Sequence, residues 1–137
     1  MAIASYTVGP GTLTFTLGTP TQDISAQVTK AEIKPQVEKG DNLKVLSGES
    51  LAGDRSYSAT LDVTLIQDLA KSKIIDWSWS NAGKTATFTY KPSTAAGATI
   101  TGPVVIDPIQ IGGEVGSRAT SDFSWDCPSL PTFTPKS

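Results

Sequence analysis

The side chains that could carry chemistry are few, and their types rule out most mechanisms. The chain contains no histidine and one cysteine, Cys127. Triads and dyads with histidine as the base are therefore excluded, as is a zinc site of the Cys/His type. Cys127 has no partner for an internal disulfide and reads as a small buried hydrophobe. The nearest approach to a nucleophile elbow, G-x-S-x-G, is Gly48-Glu49-Ser50-Leu51-Ala52, with alanine in the last position. No histidine exists to activate Ser50, so the segment reads as a turn. Among the carboxylates, Asp62 and Asp107 fall on strands. Asp122 and Asp126 share a strand face at i, i+4, which sets them roughly 13 Å apart, beyond the separations of glycosidase pairs. No P-loop is present, and Gly9-Pro10-Gly11 departs at once from G-x-G-x-x-G. No EF-hand loop is present either. The expectation is a chain with no catalytic residues, no cofactor and no metal. A hydrolase survives only as one with an unusual base.

Composition narrows the partners. The 137 residues suffice for one domain, 1–137, with a real core. The 38% apolar and 18% charged fractions are globular. A net charge of −2 argues against a nucleic-acid module, which needs a basic face. MAIASYTV lacks the basic and apolar regions of a signal peptide. No apolar run approaches the roughly 20 residues that cross a membrane as a helix. The expected place of synthesis and assembly is a cytosol.

The pattern that must position everything else is mainly β. Thr12 to Leu17 alternates strictly, with Leu13, Phe15 and Leu17 on one face, and Gly18-Thr19-Pro20 breaks it. A second strand is expected from Ile24 to Val37, with Pro35 marking a sheet edge. Ser56 to Leu65 sets Tyr57, Ala59, Leu61, Val63 and Leu65 against Ser58, Thr60, Asp62 and Thr64. Lys84 to Tyr90 sets Ala86, Phe88 and Tyr90 against Thr85, Thr87 and Thr89. Thr99 to Ile111 is expected to be a strand interrupted by Pro103 and Pro108, either buried on both sides or bulged. Arg118 to Cys127 is another, with Phe123, Trp125 and Cys127 inward. One helix is expected over 69–82, capped by Asp68 and ended by Gly83. Trp77 and Trp79 would anchor it, as core residues in preference to a stacking platform. Local connections favour an antiparallel β-sandwich or split barrel. The ends, 1–10 and 128–137, are expected to be flexible.

The remaining stretch, 40–55, reads GDNLKVLSGESLAGDR and joins two strands. Loops beyond roughly 12–15 residues are usually functional or disordered, and this one is not disordered in composition. Leu43, Val45, Leu46 and Leu51 are aliphatic. Burying each is worth roughly 1.5–3 kcal/mol, against about 1–2 kcal/mol to fix each residue's backbone. Such an arm is expected to dock on its own domain or on a neighbour's.

In this order of parts the chain resembles the major tail tube proteins of long-tailed, siphovirus-type phages, those of actinobacterial phages in particular. The resemblance rests on the Thr-rich first strand after Gly9-Pro10-Gly11 and on VLSGESLAGDR, Val45 to Arg55. It extends through Gln67-Asp68 and the Trp-containing helix to FTYKPSTAAGATITGPV (Phe88 to Val104) and IGGEV (Ile111 to Val115). It ends in SDFSWDCPSLPTFTP (Ser121 to Pro135).

The resemblance implies a structural virion protein that self-assembles into hexameric rings, stacked as a tail tube for DNA delivery. Sheets would join edge to edge into an inner barrel, and the long arm would reach neighbouring subunits. The implied partners are the chain itself and other tail proteins (tape measure, tail terminator, tail tip). DNA would pass through the lumen without specific binding. The implied location is the virion tail, assembled in the host cytoplasm. The candidate lumen rows are Thr60, Asp62 and Thr64, or Thr85, Thr87 and Thr89. Either row could equally face bulk water. A related tube, that of contractile injection or type VI secretion machines, shares the fold class. The alternative is a β-sandwich adhesion or binding module of a tail tip or cell surface, for which Trp77, Trp79 and Trp125 are the candidate aromatic patch.

Overall fold

A computed structural model describes residues 4–18 and 21–135. The outermost parts of the two expected flexible ends, and Thr19-Pro20 of the first strand break, lie outside the described residues. Two antiparallel sheets face each other. The first has five strands in the order β10-β8-β7-β1-β2. They are β1 (Thr12–Thr16), β2 (Gln22–Asp23), β7 (Thr85–Lys91), β8 (Thr99–Val105) and β10 (Thr132–Thr134). The second has three, in the order β3-β6-β9: β3 (Val28–Lys39), β6 (Arg55–Ile66) and β9 (Thr120–Cys127). A two-stranded hairpin, β4 (Leu43–Lys44) with β5 (Ser50–Leu51), stands apart from both. The mainly β, antiparallel architecture expected from periodicity is the one observed.

The period-2 alternation decides what faces inward. Leu13 and Phe15 of β1 and Ala86, Phe88 and Tyr90 of β7 meet Leu61, Val63 and Leu65 of β6 and Phe123, Trp125 and Cys127 of β9. The aromatic centre of this core is built from Phe15, Trp77, Trp125 and Phe123. The Phe15 and Trp125 rings lie 5.1 Å apart and those of Phe123 and Trp125 4.3 Å apart. Edge-tilted pairs at such spacing add to area burial. The Tyr90 hydroxyl donates across the sandwich to the Ala31 carbonyl, 3.1 Å.

Several expectations need correction. The second expected strand begins late, at Val28, because Ile24 turns inward and its carbonyl takes the amides of Gln27 and Val28. Pro35 does lie on an edge strand, β3. The helix, α1, spans only Ile74–Ser80. Leu69 stands five residues before Ile74, about 1.4 turns, so it misses the buried stripe and is exposed. Asp68 caps no helix and instead accepts the Ala70 amide, 3.1 Å. Ser72 takes a left-handed φ of 66° and donates its amide to Asp76 Oδ2, 2.8 Å. The fifth expected strand ends at Val105, with Asp107 and Pro108 following. Ile109 then turns inward, where its amide meets the buried Ser78 hydroxyl, 3.2 Å. Part of the C-terminal segment is a strand: β10 pairs Phe133 with Ile100 of β8.

Candidate assembly surface

The arm grows out of the longest ladder in the molecule. β3 pairs with β6 from Val28↔Leu65 to Lys39↔Arg55. The Gly40 amide then donates to the Asp54 carbonyl, 2.6 Å. At this neck the two backbones come so close that a Cβ on Gly53 would overlap the Gly40 carbonyl. Asn42 Oδ1 accepts the Gly53 amide, 3.1 Å. Beyond the neck, Leu43 pairs with Leu51 and Lys44 with Ser50. The Val45 amide donates to the Glu49 carbonyl, and the Gly48 amide to the Val45 carbonyl, both 3.0 Å. Leu46-Ser47-Gly48 is thus a three-residue hairpin loop, with Gly48 at φ 91° supplying its left-handed position. The stretch expected as an irregular arm is a hairpin held by its own backbone.

Its aliphatic side chains are left outside. Leu43 is 62% exposed, Val45 47%, Leu46 107% and Leu51 64%. They do not dock on their own domain. An apolar tip is an unusual choice for a hairpin loop, where polar and turn-forming residues dominate.

The two candidate lumen rows sit on different sheets. Thr60, Asp62 and Thr64 lie on the outward face of the three-stranded sheet, opposite buried Leu61, Val63 and Leu65. Thr85, Thr87 and Thr89 lie on the outward face of the five-stranded sheet, opposite buried Ala86, Phe88 and Tyr90. The sheets pack by their inner faces, so the two rows point away from each other and cannot line the same channel within one subunit. Their chemistry differs as well. Register places Lys30, Glu32, Lys34, Asp122 and Asp126 beside the first row. With Asp62 that is four carboxylates against two lysines. The second row is flanked by Thr12, Thr14, Thr16, Thr101 and Pro103 and is nearly uncharged.

One ion pair orders the charged face. Lys34 Nζ lies 2.8 Å from Asp62 Oδ2 and 3.8 Å from Glu32 Oε2, and Lys30 Nζ lies 3.2 Å from Glu32 Oε1. The hydrogen bond from Lys34, with Ser124 alongside, holds the Asp62 carboxyl below its usual range, and the same contact raises the Lys34 ammonium. Asp122 accepts the Thr64 hydroxyl, 2.6 Å.

Among the described residues, no group of three or more His, Cys, Asp or Glu could hold a metal ion. No helix among them is long and apolar enough to cross a membrane. The three tryptophans do not form an aromatic patch. Trp77 and Trp125 are buried in the core, whereas Trp79 is 55% exposed and donates Nε1–H to the Ile109 carbonyl, 2.9 Å. Trp79 therefore clamps the 106–109 segment to α1 from outside, a correction to its expected core position. Exposed aromatics gather elsewhere, at Tyr6, Tyr57 and Phe133. The alternation of β6 placed Tyr57 on the inner face correctly. That no strand covers it depends on the lengths of strands in the opposite sheet.

No family model matches the chain, and no curated protein matches it in sequence. Solved structures that share its fold include two GTA particles. One is described as the tail of an empty GTA particle from helical refinement with C6 symmetry. It aligns at a TM-score of 0.64 and 19% identity over 90% of this chain and 95% of that one. The other is the virion of a native gene transfer agent (GTA) particle, at a TM-score of 0.60 and 19% identity over 89% of this chain and 95% of that one. The fold of this chain is thus shared with a chain of a GTA tail and a chain of a GTA virion.

Proposed function

We propose that the chain is a structural, non-catalytic subunit of a phage-like tail tube, forming hexameric rings that stack around a DNA-conducting lumen. The observation that carries this is the exposed aliphatic hairpin on a sandwich of that fold. Four aliphatic side chains held in water by a rigid neck are costly unless another molecule buries them. A second copy is the simplest partner, because a head-to-tail contact closes into rings or extends into a filament. β3 is an outer strand of the three-stranded sheet and pairs on one side only, with β6, so it has a free edge. Free edges are templates for joining chains. Tape-measure, terminator and tail-tip proteins are the further partners proposed, the virion tail the location, and the host cytoplasm the place of assembly.

Of the two candidate rows, that of Thr60, Asp62 and Thr64 is proposed to line the lumen. Its four carboxylates against two lysines repel phosphate, so DNA slides past without being held. The threonine row of β7 then faces outward.

Sedimentation velocity across a wide range of protein concentration tests the assembly. Growth from a monomer to discrete large species is the expected result. A single 14.3 kDa species throughout, with or without a tail-tip initiating complex, would contradict it.

A further inference from the structure

The two sheets do not fully cover each other. β3 and β6 have 12 residues each, while β7 and β8 opposite them have 7. At about 3.3 Å per residue, roughly 16 Å of the three-stranded sheet has no facing strand. Val37 and Tyr57, a cross-strand pair, lie in this overhang and are about half exposed although they continue the core face. With Tyr6, Ile100 and Phe133 they bound an open groove of about 740 Å³. That volume, with aromatic and aliphatic walls, is typical of a small-molecule site. Glu32 is the one charged lining residue, and Lys30 and Lys34 hold its carboxylate on the outer face of the sheet.

Beyond the groove the charge is unbalanced. The next step along the same face pairs Lys39 with Arg55 directly across the two strands. Like charges in that register, with Cβ atoms about 5 Å apart, repel each other. Both side chains are exposed. Glu38, Asp41 and Asp54 are close to them in sequence, yet among the described residues neither cation takes part in an ion pair. Glu38 alternates to the other face of β3. An anion between Lys39 and Arg55 converts this repulsion into charge-assisted contacts.

We propose that the groove binds a long-chain fatty acid, its alkyl chain along Val37, Tyr57 and Phe133 and its carboxylate between Lys39 and Arg55. The inference stands apart from the tube-subunit reading, because it concerns the single chain. The tail covers the overhang, and the head sits two residues further along the strands, about 7 Å away. A peptide fits less well. Its backbone N–H and C=O groups would need partners, and the groove offers few. The Tyr90 hydroxyl is already given to the Ala31 carbonyl, and the neighbouring edge of β3 is broken by Pro35, which has no N–H. An alkyl chain brings no such groups, and each methylene it buries adds to affinity.

Amide NMR spectra of the isotope-labelled chain test the site, at a dilution that keeps it monomeric. The probe is dodecanoate below its micelle concentration. Saturable shifts centred on 31–39, 55–59 and 132–134 are the expected result. The paired change Lys39→Gln with Arg55→Gln should weaken dodecanoate by about tenfold or more and leave dodecanol, the uncharged analogue, unchanged. Phe133→Ser, at a position 62% exposed, should weaken both ligands alike. All three positions are exposed, and matching unfolding midpoints confirm that the variants fold. Equal affinity for dodecanoate and dodecyltrimethylammonium would overturn the place given to the carboxylate. Shifts centred on 43–51, or none that saturate, would overturn the site. An acidic peptide of alternating Leu and Glu that displaces dodecanoate and binds more tightly would overturn the fatty acid as occupant. Sedimentation of the ligand-free chain decides the tube subunit separately.

Discussion

Cys127 is the one thiol in the chain, and its surroundings silence it. It is buried at the end of β9, and burial, with Asp126 adding to it, pushes its pKa up to about 11. A thiol at that value is almost wholly protonated at neutral pH, and the thiolate is the reactive form. The folded protein should therefore resist a thiol reagent such as DTNB at pH 8 and react in full once unfolded in guanidinium. Rapid labelling of the native protein would mean that β9 opens at its end. The Lys34–Asp62 pair makes a pH prediction with a definite sign. The Asp62 carboxyl is lowered in the folded state, so its contribution to stability is present above its ordinary value near pH 4 and is lost as pH falls through the lowered folded value. The Lys34 ammonium is raised, so the same pair is complete below about pH 10.5 and fades as pH rises through the raised value. The Lys34 side chain is 56% exposed and that of Asp62 30%, so solvent screens the pair and the effect is small. Thermal unfolding midpoints of wild type and Asp62→Asn should differ slightly at pH 7 and converge in acid. A constant difference from pH 7 to pH 2 would show that the carboxylate charge is not what matters.

At the scale of elements, the hairpin is separable from the sandwich. Leu46→Asp or Leu51→Asp changes an exposed side chain, and such changes usually stay within about 0.5 kcal/mol. Their unfolding midpoints should match wild type while assembly is lost. A drop in midpoint equal to that of a core truncation would instead make the arm part of the monomer's own core. Gly53→Ala acts at the neck, where the new Cβ overlaps the Gly40 carbonyl. It should re-aim or loosen the hairpin and weaken assembly, with the near-ultraviolet circular dichroism of the Trp77–Trp125 core unchanged. Loss of that signal would show that the neck and core are coupled. The strands were legible because half-buried strands repeat their pattern every two residues. β6 and β9 alternate as the sequence reads, residue by residue. The helix was legible in kind but not in length. Asp68 and Leu69 mimic a helix start, and only the left-handed turn at Ser72 delays it to Ile74. β10 was hidden because its pairing with β8 is decided by contacts that no local pattern encodes.

For the molecule as a whole, the apolar character of the arm was legible, but not that its own domain leaves it undocked. Leu43, Val45, Leu46 and Leu51 are too apolar for a free loop, and the fold leaves all four in water. That the arm is a hairpin could have been suspected from Ser47-Gly48 at its centre. The groove was not legible. Val37, Tyr57 and Phe133 read as ordinary strand residues, and their exposure follows from strands of unequal length meeting across the sandwich. The two candidate lumen rows were both correctly read as outward-facing, but no sequence pattern reveals that they belong to sheets facing opposite ways. That geometry divides the molecule into one acidic face and one threonine face.

Negative-stain electron microscopy of the purified chain, from dilute to concentrated, tests the assembly most directly. Hollow rings or tubes of uniform diameter at high concentration are predicted, with Leu46→Asp giving none. Isolated monomers at every concentration, even when an initiating tail-tip complex is added, would contradict the tube subunit.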